Sequence, residues 1–331
     1  MTKPLLSICI PTYNRAEYLK QSLDSLISQN RFNEIEVVIS DNCSTDNTEN
    51  VCLEFQKKFT NIHYFKNKEN IRDKNFPLSL FRANGTFRKL CNDTIIYMDG
   101  TIDYILDILH ANSEERPLLF FLNGSGNFSN ESVVSSTFDE LIFNTSYFTT
   151  WIGGFGIWET DLKSLNDEFK LCDSQLWQTY KIFSCFEKKQ KALISNKHIF
   201  NTLNVKKKDI SYGIVKIFYN NFLEILNKYL NYGKISQLCF DWQKKELLFN
   251  FFTEYLLNSE LKPDSYSFGS ENIKDLLLKN YENEVYIDDY KNFYKEQFRK
   301  KVRCLKNEKI KSMLSSFLLV KIILYFKHNF L

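Results

Sequence analysis

Glycine and proline are scarce here, at ten and five in 331 residues, which excludes a collagen-like or Pro/Gly-rich disordered chain. Histidine is rarer still, with four copies. No two cysteines show the two-residue spacing of zinc or thioredoxin-type sites. The eight cysteines (Cys9, Cys43, Cys52, Cys91, Cys172, Cys185, Cys239 and Cys304) are scattered, a pattern that predicts reduced thiols in a cytoplasmic protein rather than a disulfide scaffold. Excess charge of one sign is also missing. The 43 basic and 40 acidic side chains leave +3, so no chain-wide field favours nucleic acid and no nucleic-acid partner is expected. The first apolar run, Leu5 to Ile10, stops at Pro11 and is too short for the core of a signal peptide. What the chain has in quantity is rings. Thirty Phe and eighteen Tyr in a 44% hydrophobic composition predict aromatic cores and pockets, in roughly two domains at ~150 residues each.

The first 100 residues alternate strand and helix. Leu5–Ile10 and the β-branched Ile35–Ser40 read as buried strands, Ile62–Phe65 as a third and Thr86–Cys91 as a fourth. Helical spacing lies between them, at Arg15–Gln29, Glu49–Phe59 and Asn75–Ala83, and Gly100–Leu109 follows. Leu118–Leu122 reads as a further strand. Such alternation with short connections predicts an α/β fold with a largely parallel sheet covered on both faces. Ligands then sit beyond the carboxyl ends of the strands. Pro11–Asn14 and Asp41–Ser44 leave two of those ends, so they should face one crevice. Asn123–Ser136 reads as a Gly/Ser/Asn-rich mobile loop.

Near Lys206-Lys207-Lys208 the character changes to long aromatic helices, at Ile214–Tyr229, Asp241–Leu257 and Ile273–Tyr281. The expected division is therefore 1–205 and 206–331. At the far end, Met313–Phe326 is almost wholly apolar between basic flanks. It is shorter than the ~20 residues a bilayer-spanning helix needs. Contact of 309–331 with an anionic membrane surface and packing within the protein or a second subunit both remain open.

Ser7-Ile8-Cys9-Ile10-Pro11-Thr12-Tyr13-Asn14-Arg15 and Val37-Val38-Ile39-Ser40-Asp41-Asn42-Cys43-Ser44-Thr45-Asp46 resemble the opening of the inverting family 2 glycosyltransferases. The order continues with Glu69-Asn70-Ile71-Arg72-Asp73-Lys74-Asn75-Phe76 and Ala83-Asn84-Gly85-Thr86-Phe87. These are similar to the Glu-Asn-x-Gly-x-x-x-Asn and Ala-x-Gly-x-Tyr segments of members that build bacterial surface polysaccharides, the abequosyltransferase-like branch among them. The resemblance is strong over about the first 100 residues and fades to an outline by about residue 200. It implies a GT-A fold, a Rossmann-like mixed sheet that binds a nucleoside diphosphate sugar, followed here by a helical C-terminal domain.

The resemblance also implies roles. Pro11, Thr12, Tyr13, Asp41, Asn42, Asn70, Arg72, Asn75 and Asn92 would contact the nucleotide sugar. Asp93 would hold a divalent cation, Mg²⁺ or Mn²⁺. Where the family shows Asp-x-Asp or a run of aspartates, Leu90-Cys91-Asn92-Asp93-Thr94 offers one carboxylate. Magnesium takes one or two carboxylates with substrate phosphates and waters, so a weaker metal site is one outcome and a non-catalytic nucleotide-binding scaffold in a membrane-associated assembly the other. An inverting transfer needs a base for the acceptor hydroxyl. Asp173 is the candidate, with Asp161, Asp167 and Glu168 as rivals. Trp151, Gly153, Phe155 and Trp158 are matched by position to the acceptor loop. His198, although some relatives place a metal-binding histidine there, is taken as a surface or packing residue. The expected partners are a nucleoside diphosphate sugar and a glycan or lipid-linked acceptor, at a cytoplasmic location peripheral to the inner face of the membrane. A nucleotidyltransferase would instead carry a Gly-rich loop with Lys or Arg after the first strand, which Pro11-Thr12-Tyr13-Asn14 is not.

Overall fold

Every residue of the first strand, β1 (Leu6–Thr12), is buried, and so is every residue of β2 (Glu36–Asp41). Strands hidden on both faces need helices above and below. In the computed structural model, which describes residues 3–205, 208–209, 213–261, 266–267 and 272–307, α1 (Ala16–Ile27) supplies Leu19, Leu23 and Leu26, one helical stripe turned to the core. The next helix, α2 (Thr48–Lys58), buries Val51, Cys52 and Phe55. Then come β3 (Ile62–Lys66), α3 (Asn75–Phe81) and β4 (Phe87–Leu90). β1 pairs in parallel with β2 and β4, and β2 with β3.

Three shorter strands were not all expected. β5 (Ile95–Tyr97) follows the β4 loop directly, α4 (Thr101–Ala111) buries Ile102, Ile105, Leu106 and Leu109, and β6 (Leu118–Phe121) is wholly buried. β7 (Ser132–Ser135) lies inside the stretch read as a mobile loop, and the structure corrects that reading for its second half. α5 (Phe138–Thr145) leads through the ring-rich turn to β8 (Gly156–Trp158), which adds antiparallel to β4. The main sheet therefore has the order β3-β2-β1-β4-β8.

After α6 (Leu165–Leu171) and α7 (Trp177–Lys189), β9 (Ala192–Ser195) pairs parallel with β6 and antiparallel with β7. That partner is why Ser132–Ser135 is a strand: its ladder comes from residues about 60 positions away. β10 (Phe200–Thr202) pairs with β5. Gly85 marks where the chain passes tightly over β1, since a Cβ there would strike the Ser7 hydroxyl and backbone.

The described chain divides into two units, 1–206 with 216–244 and 207–215 with 245–331. Residues 216–244 thus group with the sheet rather than with the later helices, which departs from a boundary at 205. The reason is aromatic: Tyr229, on the helix α8 (Phe222–Asn231), packs against Phe138 at 4.8 Å and Phe183 at 5.2 Å between ring centroids. The second unit holds α10 (Thr253–Leu261), which follows the helix α9 (Gln237–Glu246) and a short π-helical turn, then α11 (Ile273–Asn280) and a last helix over 287–307. Among the described residues no helix is long and apolar enough to cross a membrane. The segment 309–331 lies outside the described residues.

Candidate nucleotide-sugar site

At the carboxyl ends of β1 and β2 the chain opens a cleft of about 380 Å³, lined by Pro11, Thr12, Tyr13, Asn42, Asn70, Arg72, Asn75 and Asp93. Eight of the residues singled out from the sequence therefore meet in one place. A wider recess of about 1120 Å³ lies toward the opposite, amino ends of the strands, around Leu5, Glu36 and His63.

The loops at the strand tips are tied by side chains. Asn14, in the left-handed region at φ 52°, accepts from the Thr45 amide at 2.8 Å. Asp46 accepts from the first amide of α1, Ala16, at 3.1 Å and from the Thr48 amide at 3.0 Å, so one carboxylate anchors the starts of two helices. Asn42 receives the Ile71 amide at 2.9 Å and donates to Asn70 at 2.8 Å. Asn75 donates to the Ser40 carbonyl at 2.7 Å and accepts from Asn67 at 3.1 Å. These asparagines fasten the loop over 67–75 to the end of β2 and floor the cleft.

Two carboxylates reach it. Asp93 Oδ2 accepts from the Thr12 hydroxyl at 2.8 Å. Burial pushes the Asp93 carboxyl up to about 6, against the Thr12 hydrogen bond and the nearby Arg15 charge. Asp73 also lines the cleft, and burial raises its pKa while Arg72 opposes the shift. Arg15 and Arg72 bring positive charge to the same walls. Arg72 holds φ 52° where the related motif has glycine, a strained setting for a residue with a side chain. Its amide donates to Asn70 Oδ1 at 2.9 Å and its carbonyl accepts from Asn42 at 3.3 Å.

Sequence reading did not assign Arg15, Asp73 or Phe76 to the site, although all three line it. Arg15 ends the first motif quoted, and Asp73 sits between two basic residues, so adjacency was the available signal.

Other predicted residues lie elsewhere. Asp41 ends β2 but turns inward: Oδ1 accepts from the Ser44 amide at 2.9 Å and Oδ2 from the Tyr64 hydroxyl at 2.8 Å. It is fully buried and holds the turn rather than facing the cleft. Asn92 Oδ1 accepts from Trp151 Nε1 at 3.2 Å, which links the ring-rich turn to the residue beside Asp93. Gly153 is a close approach, because a Cβ would meet the Trp151 ring and Asn92. Phe155 and Trp158 are in the core: Phe155 meets Trp177 edge-on at 5.6 Å, and Trp158 donates to the Pro117 carbonyl at 2.8 Å. Neither offers a face to a sugar. Their apolar rings match the β4–β8 interior better than a wet cleft.

The four carboxylates weighed as base separate by their partners. Glu168 is buried on Lys181 and accepts from Trp177 Nε1 at 2.9 Å. Asp161 is buried 3.0 Å from Lys189. Asp167 joins Ser164 at the start of α6 and pairs with Lys170 at 3.2 Å. Asp173 is exposed. Burial first, then the Asp73 charge, push the neighbouring Cys172 thiol up to about 12. Asp173 is not among the residues that line the cleft. His198 is exposed beside Gly124.

For a divalent cation, the fit is sparse but adequate. Among the described residues no three His, Cys, Asp or Glu side chains cluster as a metal site. Among the described residues no side chain donates to Asp93 Oδ1, whereas Asn92 Oδ1 is taken by Trp151. One protein carboxylate suits a hard cation that draws its remaining ligands from phosphates and water.

Residues 7–83 match the model of the family described as glycosyl transferase family 2. Among curated proteins, the abequosyltransferase RfbV of Salmonella typhimurium is 37% identical over 121 residues, 34% of this chain and 36% of that protein. The GalNAc(5)-diNAcBac-PP-undecaprenol beta-1,3-glucosyltransferase of Campylobacter jejuni is 26% identical, covering 53% of this chain and 59% of its own. The chain thus spans between about a third and three fifths of these two relatives. Among solved structures, S. aureus TarS 1-349 in complex with UDP-GlcNAc superposes with a TM-score of 0.53 at 18% identity, covering 89% of this chain and 92% of that one. The mannosyltransferase PcManGT of Pyrobaculum calidifontis, with GDP-Man and Mn²⁺, gives 0.52 at 12% identity, with 90% and 88% covered. Sheet order, strand-tip motifs and matched segment agree: residues 7–83 are similar to glycosyl transferase family 2, and the chain shares the GT-A fold of these solved glycosyltransferases.

Proposed function

We propose that the chain moves a sugar, with inversion, from a nucleoside diphosphate donor to a hydroxyl of a polysaccharide or lipid-linked oligosaccharide in surface-polysaccharide synthesis, O-antigen or capsule. One observation carries the reading: the cleft at the strand tips gathers a ring (Tyr13), amides (Asn42, Asn70), cationic side chains (Arg15, Arg72) and a carboxylate (Asp93). That is the chemistry of a base, a ribose and a diphosphate in one place.

Tyr13, 44% exposed, offers its face to the nucleobase, and Asn70 its amide to the base or ribose. Arg15 and Arg72 neutralise the diphosphate as it departs. Asp93, beside Asn92, would hold Mg²⁺ or Mn²⁺, which when bound spreads the charge of the same leaving group. Asp173 takes the proton of the acceptor hydroxyl while its oxygen attacks the anomeric carbon and the bond to the diphosphate breaks. Trp151 stands on the acceptor side. The relatives whose names specify sugar transfer, one of them to an undecaprenol-linked glycan, support this reading. The basic, apolar sequence of 309–331 supports a peripheral position on the inner face of a membrane.

A thermal-shift panel of nucleoside diphosphates with and without Mn²⁺ tests the donor site, since a ligand that prefers the native state raises its melting point. Transfer assays with the best nucleotide's sugars follow. Nucleotide binding without turnover of any donor would leave a scaffold and overturn the assignment. Deleting 309–331 should release the protein from anionic vesicles.

A further inference from the structure

We propose that the helical unit carries a binding site for an anionic lipid, a single apolar chain ended by a phosphate. The helix over 287–307 presents two parallel rows at four-residue spacing, Tyr290, Tyr294 and Phe298 beside Lys291, Lys295 and Arg299. Both rows line one cavity of about 360 Å³, whose other wall includes Leu256, Leu277 and Leu278. The interior is apolar and the exposed edge is basic.

The acid at that edge is spent: Glu260 pairs with Lys274 at 2.7 Å, and Lys274 also sits 4.8 Å above the Tyr294 ring. Lys291 reaches Asp288, which is itself largely exposed, at 2.7 Å. Lys295 and Arg299 have no carboxylate partner among the described residues. Like charges four apart on a helix repel, and a phosphate laid across the row relieves that repulsion while forming charge-assisted hydrogen bonds. An apolar peptide would leave the cations uncompensated, and a nucleic acid would leave the apolar chamber unused. The volume is near the low end of the ~300–1,000 Å³ typical of small-ligand sites, which suits one chain end better than the two tails of a phospholipid. The site shares no residue with the donor cleft, so its failure would not touch the transfer reading.

The test is calorimetric titration of the full chain with geranylgeranyl monophosphate below its aggregation threshold. The proposal expects saturable one-to-one binding, at least tenfold weaker binding of geranylgeraniol, and none of inorganic phosphate. The Lys295→Glu/Arg299→Glu double variant changes only exposed side chains, so it should keep its melting temperature and lose at least tenfold in affinity. Four results would overturn the proposal: equal affinity for the neutral alcohol, no effect of charge reversal, a preference for dioleoyl phosphatidylglycerol vesicles over the prenyl phosphate, or binding that requires removal of 308–331. The last would make the chain's own tail the occupant.

Discussion

The Thr12 hydroxyl donates to Asp93 Oδ2 at 2.8 Å, joining the end of the first strand to the loop beyond the fourth. Eighty-one positions separate the two residues, and the parallel pairing of β1 with β4 closes that gap. The bond orients one carboxylate oxygen and leaves the other for a ligand. It also holds a charge where burial disfavours it, a feature common at functional sites.

Asp93→Asn separates function from stability. Transfer should fall to background in a donor-turnover assay. In chelator, unfolding by urea should show the reverse benefit. The native carboxyl titrates near 6, above its usual value of 3.8. The native state therefore holds the proton more tightly than the unfolded chain, so the wild type is favoured below about pH 4 and loses stability as pH climbs toward 6. The full penalty is at most about 3 kcal/mol at pH 7. The asparagine variant should lack this decline, and parallel pH profiles for the two proteins would refute the account.

Arg72→Gly should pull two properties apart in the same way. Glycine accepts φ 52° freely, so the melting point should rise by the equivalent of roughly 0.5–1 kcal/mol. Nucleoside diphosphate affinity should drop about tenfold or more as the guanidinium is lost. A variant that is stabilised and binds as tightly would show that the charge does not reach the phosphates.

Two carboxylates of the same region should respond in opposite ways. Asp173→Asn should lower kcat by about 10²–10⁴ while nucleotide affinity and melting point stay near wild type. Glu168→Gln strands the Lys181 charge in the interior, and breaking such a pair costs about 3–5 kcal/mol. Denaturation midpoints and single-turnover rates measured side by side would expose an exchange of these roles.

Gly153→Ala puts a methyl group against the Trp151 ring and Asn92. Overpacking of this kind costs about 1–3 kcal/mol. Because Trp151 is on the proposed acceptor side, the acceptor KM should rise while the donor KM stays level. A donor-side effect alone would move the turn to the other half of the site.

Much of the site was legible because it is written in consecutive residues. Pro11, Thr12 and Tyr13 lie at the end of a buried strand, and Asn70, Arg72 and Asn75 fall within six positions, so a local pattern locates them. Side-chain direction was not legible. Asp41 and Asp93 both end up near strand tips, yet the Tyr64 hydroxyl and the Ser44 amide draw the first inward. Phe155 and Trp158 looked like sugar platforms until the pairing of β8 with β4 enclosed them.

Sequence alone determined the parallel sheet and the crevice at its tips, since β-branched runs, helical spacing and short connections act over a few neighbouring residues. Tertiary structure decided which polar groups face that crevice, why Ser132–Ser135 extends as a strand, and that the helices of 216–244 join the sheet. Those outcomes depend on partners dozens of residues away, and burial against a distant partner leaves no local mark in the chain.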